Sequence, residues 1–84
     1  MSLFWPEGLP LVVECAADAT PLRLRLRGGW HAVAIVSARW RVRQGWWRAG
    51  YWREYVTVAT RGRLLLTLGR DLPVGTWRLV YLHD

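Results

Sequence analysis

LRLRLRGGWHAVAIV, residues 22–36, is the stretch that decides the fold of this 84-residue chain. Leu22, Leu24 and Leu26 alternate with Arg23, Arg25 and Arg27 without a fault. A period of two over six residues is the mark of a half-buried strand, since a helix would space its apolar positions by three and four. Gly28-Gly29 follows, and two glycines that can both adopt positive φ make a two-residue hairpin loop. That loop predicts a register in which Leu26 faces His31, Leu24 faces Val33 and Leu22 faces Ile35. On the other face Arg27 lies beside Trp30, where a guanidinium can sit on the indole ring.

The returning strand meets a conflict of parity. Val33 and Ile35 point inward in this register, and an unbroken period of two would then bury Arg39, Arg41 and Arg43. Unpaired, three buried guanidiniums are far too costly. The sequence therefore predicts a bulge within residues 36–38, after which Trp40 and Val42 point inward and the arginines outward.

Outward from this hairpin, residues 11–16 (LVVECA) read as a strand, closed by the turn chemistry of Asp18-Ala19-Thr20-Pro21. Residues 44–50 form a connection rich in Gly and Trp, and residues 52–59 a strand with Val56 and Val58 inward. A three-residue turn, Thr60-Arg61-Gly62, with Gly62 in the left-handed position, pairs Val58 with Leu64 and Val56 with Leu66. Residues 64–68 and 76–82 are the last strands, joined through a turn at residues 73–75, with Trp77, Leu79 and Tyr81 on one face. Residues 1–10 (MSLFWPEGLP) carry two Pro and a Gly among large apolar groups. They read as an apolar arm rather than a strand, ahead of a single β domain at residues 11–84. No segment of ten residues holds a helical period. The fold class predicted is all-β: one small antiparallel meander of about six strands, rolled into an SH3-like or OB-like partly open barrel without a long helix.

Composition bounds the function. The hydrophobic share of 52% argues against disorder. All twelve basic residues are Arg, and a net charge of +6 favours polyanions or acidic protein surfaces as partners. Cys15 is the only cysteine, so no intrachain disulfide can form, and it reads as a buried, inert thiol. The first residues lack a basic region followed by a long apolar run, and no apolar run is long enough to span a bilayer. A cytoplasmic location without membrane contact is the expectation.

Residues 39–58 (RWRVRQGWWRAGYWREYVTV) concentrate four Trp, two Tyr and five Arg. Catalysis finds no matching pattern, because a nucleophile needs an adjacent base that a third group orients. His31 reads as a hydrogen-bonded edge residue and His83 as a solvated terminal one. The acids are scattered singly, and Glu54 with Arg70 and Arg53 with Asp71 read as structural ion pairs. Metal-ligand spacing and Gly-rich phosphate loops are absent, so neither a metal nor a cofactor is expected. A non-catalytic binding module remains. Trp, Tyr and Arg dominate protein interface hot spots, which favours docking of a protein partner or self-association. The alternative is sequence-tolerant binding of single-stranded nucleic acid, with aromatic rings stacking bases and arginines tracking phosphates. Trp40, Trp52 and Trp77 are assigned to the core. The candidate site then comprises Arg39, Arg41, Arg43, Trp46, Trp47, Arg48, Tyr51, Arg53 and Tyr55. Arg23, Arg25, Arg27 and Trp30 form a second basic face, continuous with the first if both arginine triplets point outward.

The order of several motifs adds a resemblance. DATPLRLRLR at 18–27, RWRV at 39–42, GWW at 45–47, REYVTV at 53–58, RGR at 61–63 and WRLVYLHD at 77–84 follow one another at characteristic spacing. This order resembles the small C-terminal domain of ImuB-type proteins, the Y-family-polymerase-like subunits of bacterial mutasomes, and stand-alone relatives of that domain. Glu54 stands where the family commonly has Asp. The resemblance implies a small β domain in DNA-damage-tolerance machinery that contacts protein or DNA rather than catalysing a reaction. Residues 1–4 (Met1-Ser2-Leu3-Phe4) are similar to the end of the bacterial sliding-clamp-binding pentapeptide, without its Gln, and so add the clamp as a candidate partner.

Overall fold

The alternation of apolar and charged residues becomes seven antiparallel strands. In the computed structural model, which describes residues 2–44, 51–72 and 75–83, these are β1 (Leu3–Pro10), β2 (Val12–Cys15), β3 (Pro21–Leu26), β4 (Gly29–Gln44), β5 (Tyr51–Thr60), β6 (Leu65–Leu72) and β7 (Trp77–His83). They form one sheet in the order β1-β7-β6-β5-β4-β3-β2. Its two edge strands are neighbours in the chain, separated only by Leu11, whose N–H donates to the Trp77 carbonyl at 3.2 Å. One bent run of chain thus pairs with β7 at one edge and with β3 at the other, and the sheet curls into a half-barrel. No helix long and apolar enough to cross a membrane occurs among the described residues.

The seventh strand is a correction, because Leu3–Pro10 is a strand of the sheet and not an arm beside it. Leu3 and Phe4 pair with Leu82 and Tyr81, and Leu9 and Pro10 pair with Leu79 and Arg78. The register shifts between Phe4 and Leu9, so Pro6 and Gly8 fall in the irregular part, where a missing N–H and a positive φ are tolerated. Gly8, with φ of 75°, lies so close to Arg78 that a Cβ would come within 2.6 Å of Arg78 Cβ.

The inner face carries the core: Leu24, Val56, Val58, Leu66, Leu68, Trp77 and Leu79 are buried, with Trp5, Leu11, Val13, Cys15, Val33 and Leu82 packed around them. Two predicted hairpins form with their faces as expected but with their registers moved by two residues. In the first, Arg27 and Gly28 make the loop, both at positive φ, so Leu24 rather than Leu26 faces His31. Arg25, not Arg27, then lies opposite Trp30. In the second, the three-residue loop is Arg61-Gly62-Arg63, with Arg63 rather than Gly62 left-handed, and Val58 pairs with Leu66 and Val56 with Leu68. The Thr60 hydroxyl accepts from the Leu64 N–H at 3.1 Å and holds this turn.

Bulges account for the remaining differences. The register between β2 and β3 shifts next to Leu22, which is turned out to 54% exposure although Leu24 is fully buried. Between β6 and β7 the shift falls at Val80, whose side chain lies over Gly69, where a Cβ would sit 3.0 Å from Val80 Cγ2. Leu82 therefore joins the core, and Tyr81 leaves the face of Trp77 and Leu79 to which it was assigned.

Along β4 the register shifts twice, between Val33 and Ile35 and between Val36 and Ala38. The bulge near residues 36–38 was expected, but the earlier one was not, and the two cancel. Ile35 is consequently exposed rather than inward. Arg39 pairs with Val56 and Arg41 with Glu54, which puts the arginines on the inner face and Trp40, opposite Tyr55, on the outer. Trp40 is 43% exposed and Trp52 50%, so neither is core, and Val42 is likewise exposed.

Candidate functional site

Glu54 explains why arginines can occupy the inner face. Its residue is 3% exposed, and its carboxylate meets three guanidiniums. Arg39 Nη2 and Arg70 Nη2 donate to Oε1 at 3.1 and 3.0 Å, and Arg41 Nε donates to Oε2 at 3.3 Å. Burial pushes the Glu54 carboxyl up, but hydrogen bonds and charge from Arg39, with Arg41 and Arg70, outweigh it and hold it below the ordinary carboxylate range. Arg39 also donates to the Asp18 carbonyl and the Thr20 hydroxyl, tying β4 to the turn between β2 and β3. Arg70 is 5.5 Å from the Trp77 ring centroid, and its Nε is buried without a hydrogen-bond partner. The expected pairs, Glu54 with Arg70 and Arg53 with Asp71 (2.7 Å), are both present. Cys15, free and half-buried nearby, has its thiol pushed up by burial.

The two arginine triplets do not merge into one basic field, because they lie on opposite faces of the sheet. Arg23 is outside, with its guanidinium 4.2 Å from the Trp30 ring centroid and 2.7 Å from Glu14. Arg25 is exposed beside it, and Arg27 sits in the turn. Arg43 is exposed and has no ion-pair partner among the described residues. Tyr51 opens β5 opposite Gln44, whereas Trp46, Trp47 and Arg48 lie outside the described residues.

A different surface emerges on the outer face. Trp40 stacks on Tyr55 with ring centroids 5.5 Å apart, and Tyr81 stacks on His83 at 4.4 Å with Phe4 tilted against it at 5.7 Å. Between these two aromatic walls runs a threonine floor. The Thr57 and Thr67 hydroxyls are 3.0 Å apart, and Thr67 Oγ1 is 2.8 Å from His83 Nε2. His83 is thus a half-buried member of this network, not the solvated terminal residue expected. The walls and floor enclose an open groove of about 440 Å³, completed by Leu65 and Val80.

Among the described residues of the predicted site, only Tyr55 lines this groove. Phe4 was hidden in a segment read as an arm, Tyr81 by the Val80 bulge, and Trp40 by the cancelled parity change. Thr57 and Thr67 carried a usable signal, since each interrupts an apolar strand and β-branched hydroxyls pair well across strands. Among the described residues, no three His, Cys, Asp or Glu side chains gather where they could hold a metal ion.

Comparison with protein-family models, with curated proteins and with solved structures finds no match to this chain.

Proposed function

We propose that the chain is a non-catalytic docking module that receives an apolar segment of a partner protein in the outer-face groove. The observation that carries this reading is the chemistry of the lining. In a chain with twelve arginines, none of the nine described residues around the groove is Arg, Asp or Glu. Exposed aromatic rings beside hydroxyl groups suit a partner's aliphatic or aromatic side chains together with a few hydrogen bonds. Nucleic acid needs cations beside the stacking rings to follow its phosphates. Here the rings are paired with one another, and Arg23, Arg39, Arg41, Arg53 and Arg70 are engaged with acids. Leu3 and Phe4, the last two residues of the clamp-like stretch, are held in the β1 ladder, with Phe4 forming part of the groove. The motif order quoted above supports DNA-damage-tolerance machinery as the setting.

Selection from a random displayed-peptide library tests the reading. Apolar and aromatic peptides should be recovered, should bind equally well in low and moderate salt, and should be lost with Phe4→Ser combined with Trp40→Ser while Tm stays nearly unchanged. If short single-stranded oligonucleotides quench Trp fluorescence at low salt and the selected peptides ignore both substitutions, the nucleic-acid reading replaces this one.

A further inference from the structure

The second half of β4 is an open edge. β3 pairs only with residues 29–32 of β4, and from Val33 onward the ladder lies on the β5 side alone among the described residues. After the second bulge, the ladder runs unbroken from Ala38 opposite Thr57 to Gln44 opposite Tyr51. In such a strand, alternate residues direct their N–H and C=O groups away from the existing partner, here into solvent. All side chains of residues 34–43 are exposed.

The side chains flanking this edge select what can pair with it. Trp40 and Val42 stand on the outer side, and Arg41 and Arg43 on the inner side. Arg41 is 60% exposed and reaches Glu54 only through Nε. Around Glu54 one carboxylate faces three guanidiniums, so positive charge is in surplus before Arg43 is added. A second copy of the chain fits this edge badly. Antiparallel copies joined at this edge share a face, so pairing β4 with β4 around residues 40–44 sets arginine directly opposite arginine, which destabilises the pair. Arg39 is braced by Asp18 and Thr20, which centres the free stretch on residues 40–44.

From this edge we infer that β4 accepts an extended segment of a partner protein in which acidic and apolar residues alternate. The acids lie opposite Arg41 and Arg43, and the apolar side chains lie beside Trp40 and Val42. Main-chain hydrogen bonds hold the segment, and the alternation sets its register. The arginines that repel a second copy are the groups that recognise this partner. This edge shares Trp40 with the outer groove but is defined by the free main chain of β4 and by Arg41 and Arg43, none of which lines the groove.

The test uses the full chain and a short synthetic peptide alternating Glu and Val. Titration should quench Trp fluorescence and should slow amide exchange at residues 40–44. Arg43→Glu, a change at a side chain without an ion-pair partner among the described residues, should weaken binding by about tenfold, as expected when a favourable cross-strand charge pair becomes repulsive. A peptide with the same charges but alternate backbone nitrogens methylated should not bind. The inference is overturned if the alternating peptide does not bind, if the methylated peptide binds equally well, or if exchange slows around Thr67 and Tyr81 instead. Phe4→Ser with Tyr81→Ser removes groove walls without touching β4, so the two readings can fail independently.

Discussion

Two arginine triplets with the same spacing meet opposite fates in this molecule. Arg23 and Arg25 on β3 point outward, where Arg23 rests on Trp30 and bonds an exposed Glu14. Arg39 and Arg41 on β4 point inward and converge on a carboxylate buried under the same curl of sheet as Val56 and Leu68. The pattern of alternation is shared; the supply of buried acid is not. On the inner face Arg39, Arg41 and Arg70 gather where Glu54 gives them a partner, Arg43 beyond them stays exposed, and Glu54 itself is tolerated because three cations surround it.

The strongest way to break this contrast is to remove the acid. Glu54→Gln strands Arg39, Arg41 and Arg70 and should cost about 3 kcal/mol, the low end for a broken buried ion pair because Arg39 and Arg41 reach water. Urea denaturation reads this, and a loss no greater than that of an ordinary surface substitution would show that Glu54 does not organise the inner face. Next in size is the pH dependence. The folded Glu54 carboxyl is held below its ordinary value, so its contribution is complete above the ordinary carboxylate range and drains away as pH falls through the depressed folded value. The urea midpoint should therefore fall on acidification, and Glu54→Gln should flatten the curve.

Smaller effects sharpen the contrast within the cluster. Arg70→Met removes a mostly buried donor from Glu54 and should cost about 1–2 kcal/mol by the same denaturation assay. Arg41→Met removes an exposed guanidinium from a site already rich in positive charge. Its stability should be nearly unchanged, and a loss matching that of Arg70→Met would contradict the surplus. On β2, Glu14→Gln should leave Tm where it is, since both Glu14 and its β3 partner Arg23 are solvated. A drop comparable with that of Glu54→Gln would erase the distinction between the two faces.

Much of the fold is legible in the sequence because alternation reports which residues share a face. Val56, Val58, Trp77 and Leu79 are core as read, and the hairpins fall where Gly and polar residues interrupt the strands. Alternation does not report which face is inside, and on β4 that choice depends on an acid that comes into reach only when β5 and β6 align. Glu54 and Arg70 could be paired by inspection, yet nothing local showed that Arg39 and Arg41 would join them. Bulges are equally silent, since one extra residue at Val80 moves Tyr81 to the groove without any change in composition. The candidate site suffered most, because Phe4, Trp40 and Tyr81 reach the outer face through such irregularities.

The single residue between β1 and β2 has a consequence for biosynthesis. Leu3 pairs with Leu82, so β1 is made six strands ahead of the partner that its ladder needs. The hairpins of β3 to β6 can assemble in the order in which they are translated, whereas β1 has no strand to pair with until β7 arrives. During that interval Leu3, Phe4 and Trp5 form an apolar segment tethered through Leu11 to an unfinished sheet, and synthesis of β7 is the event that folds it away.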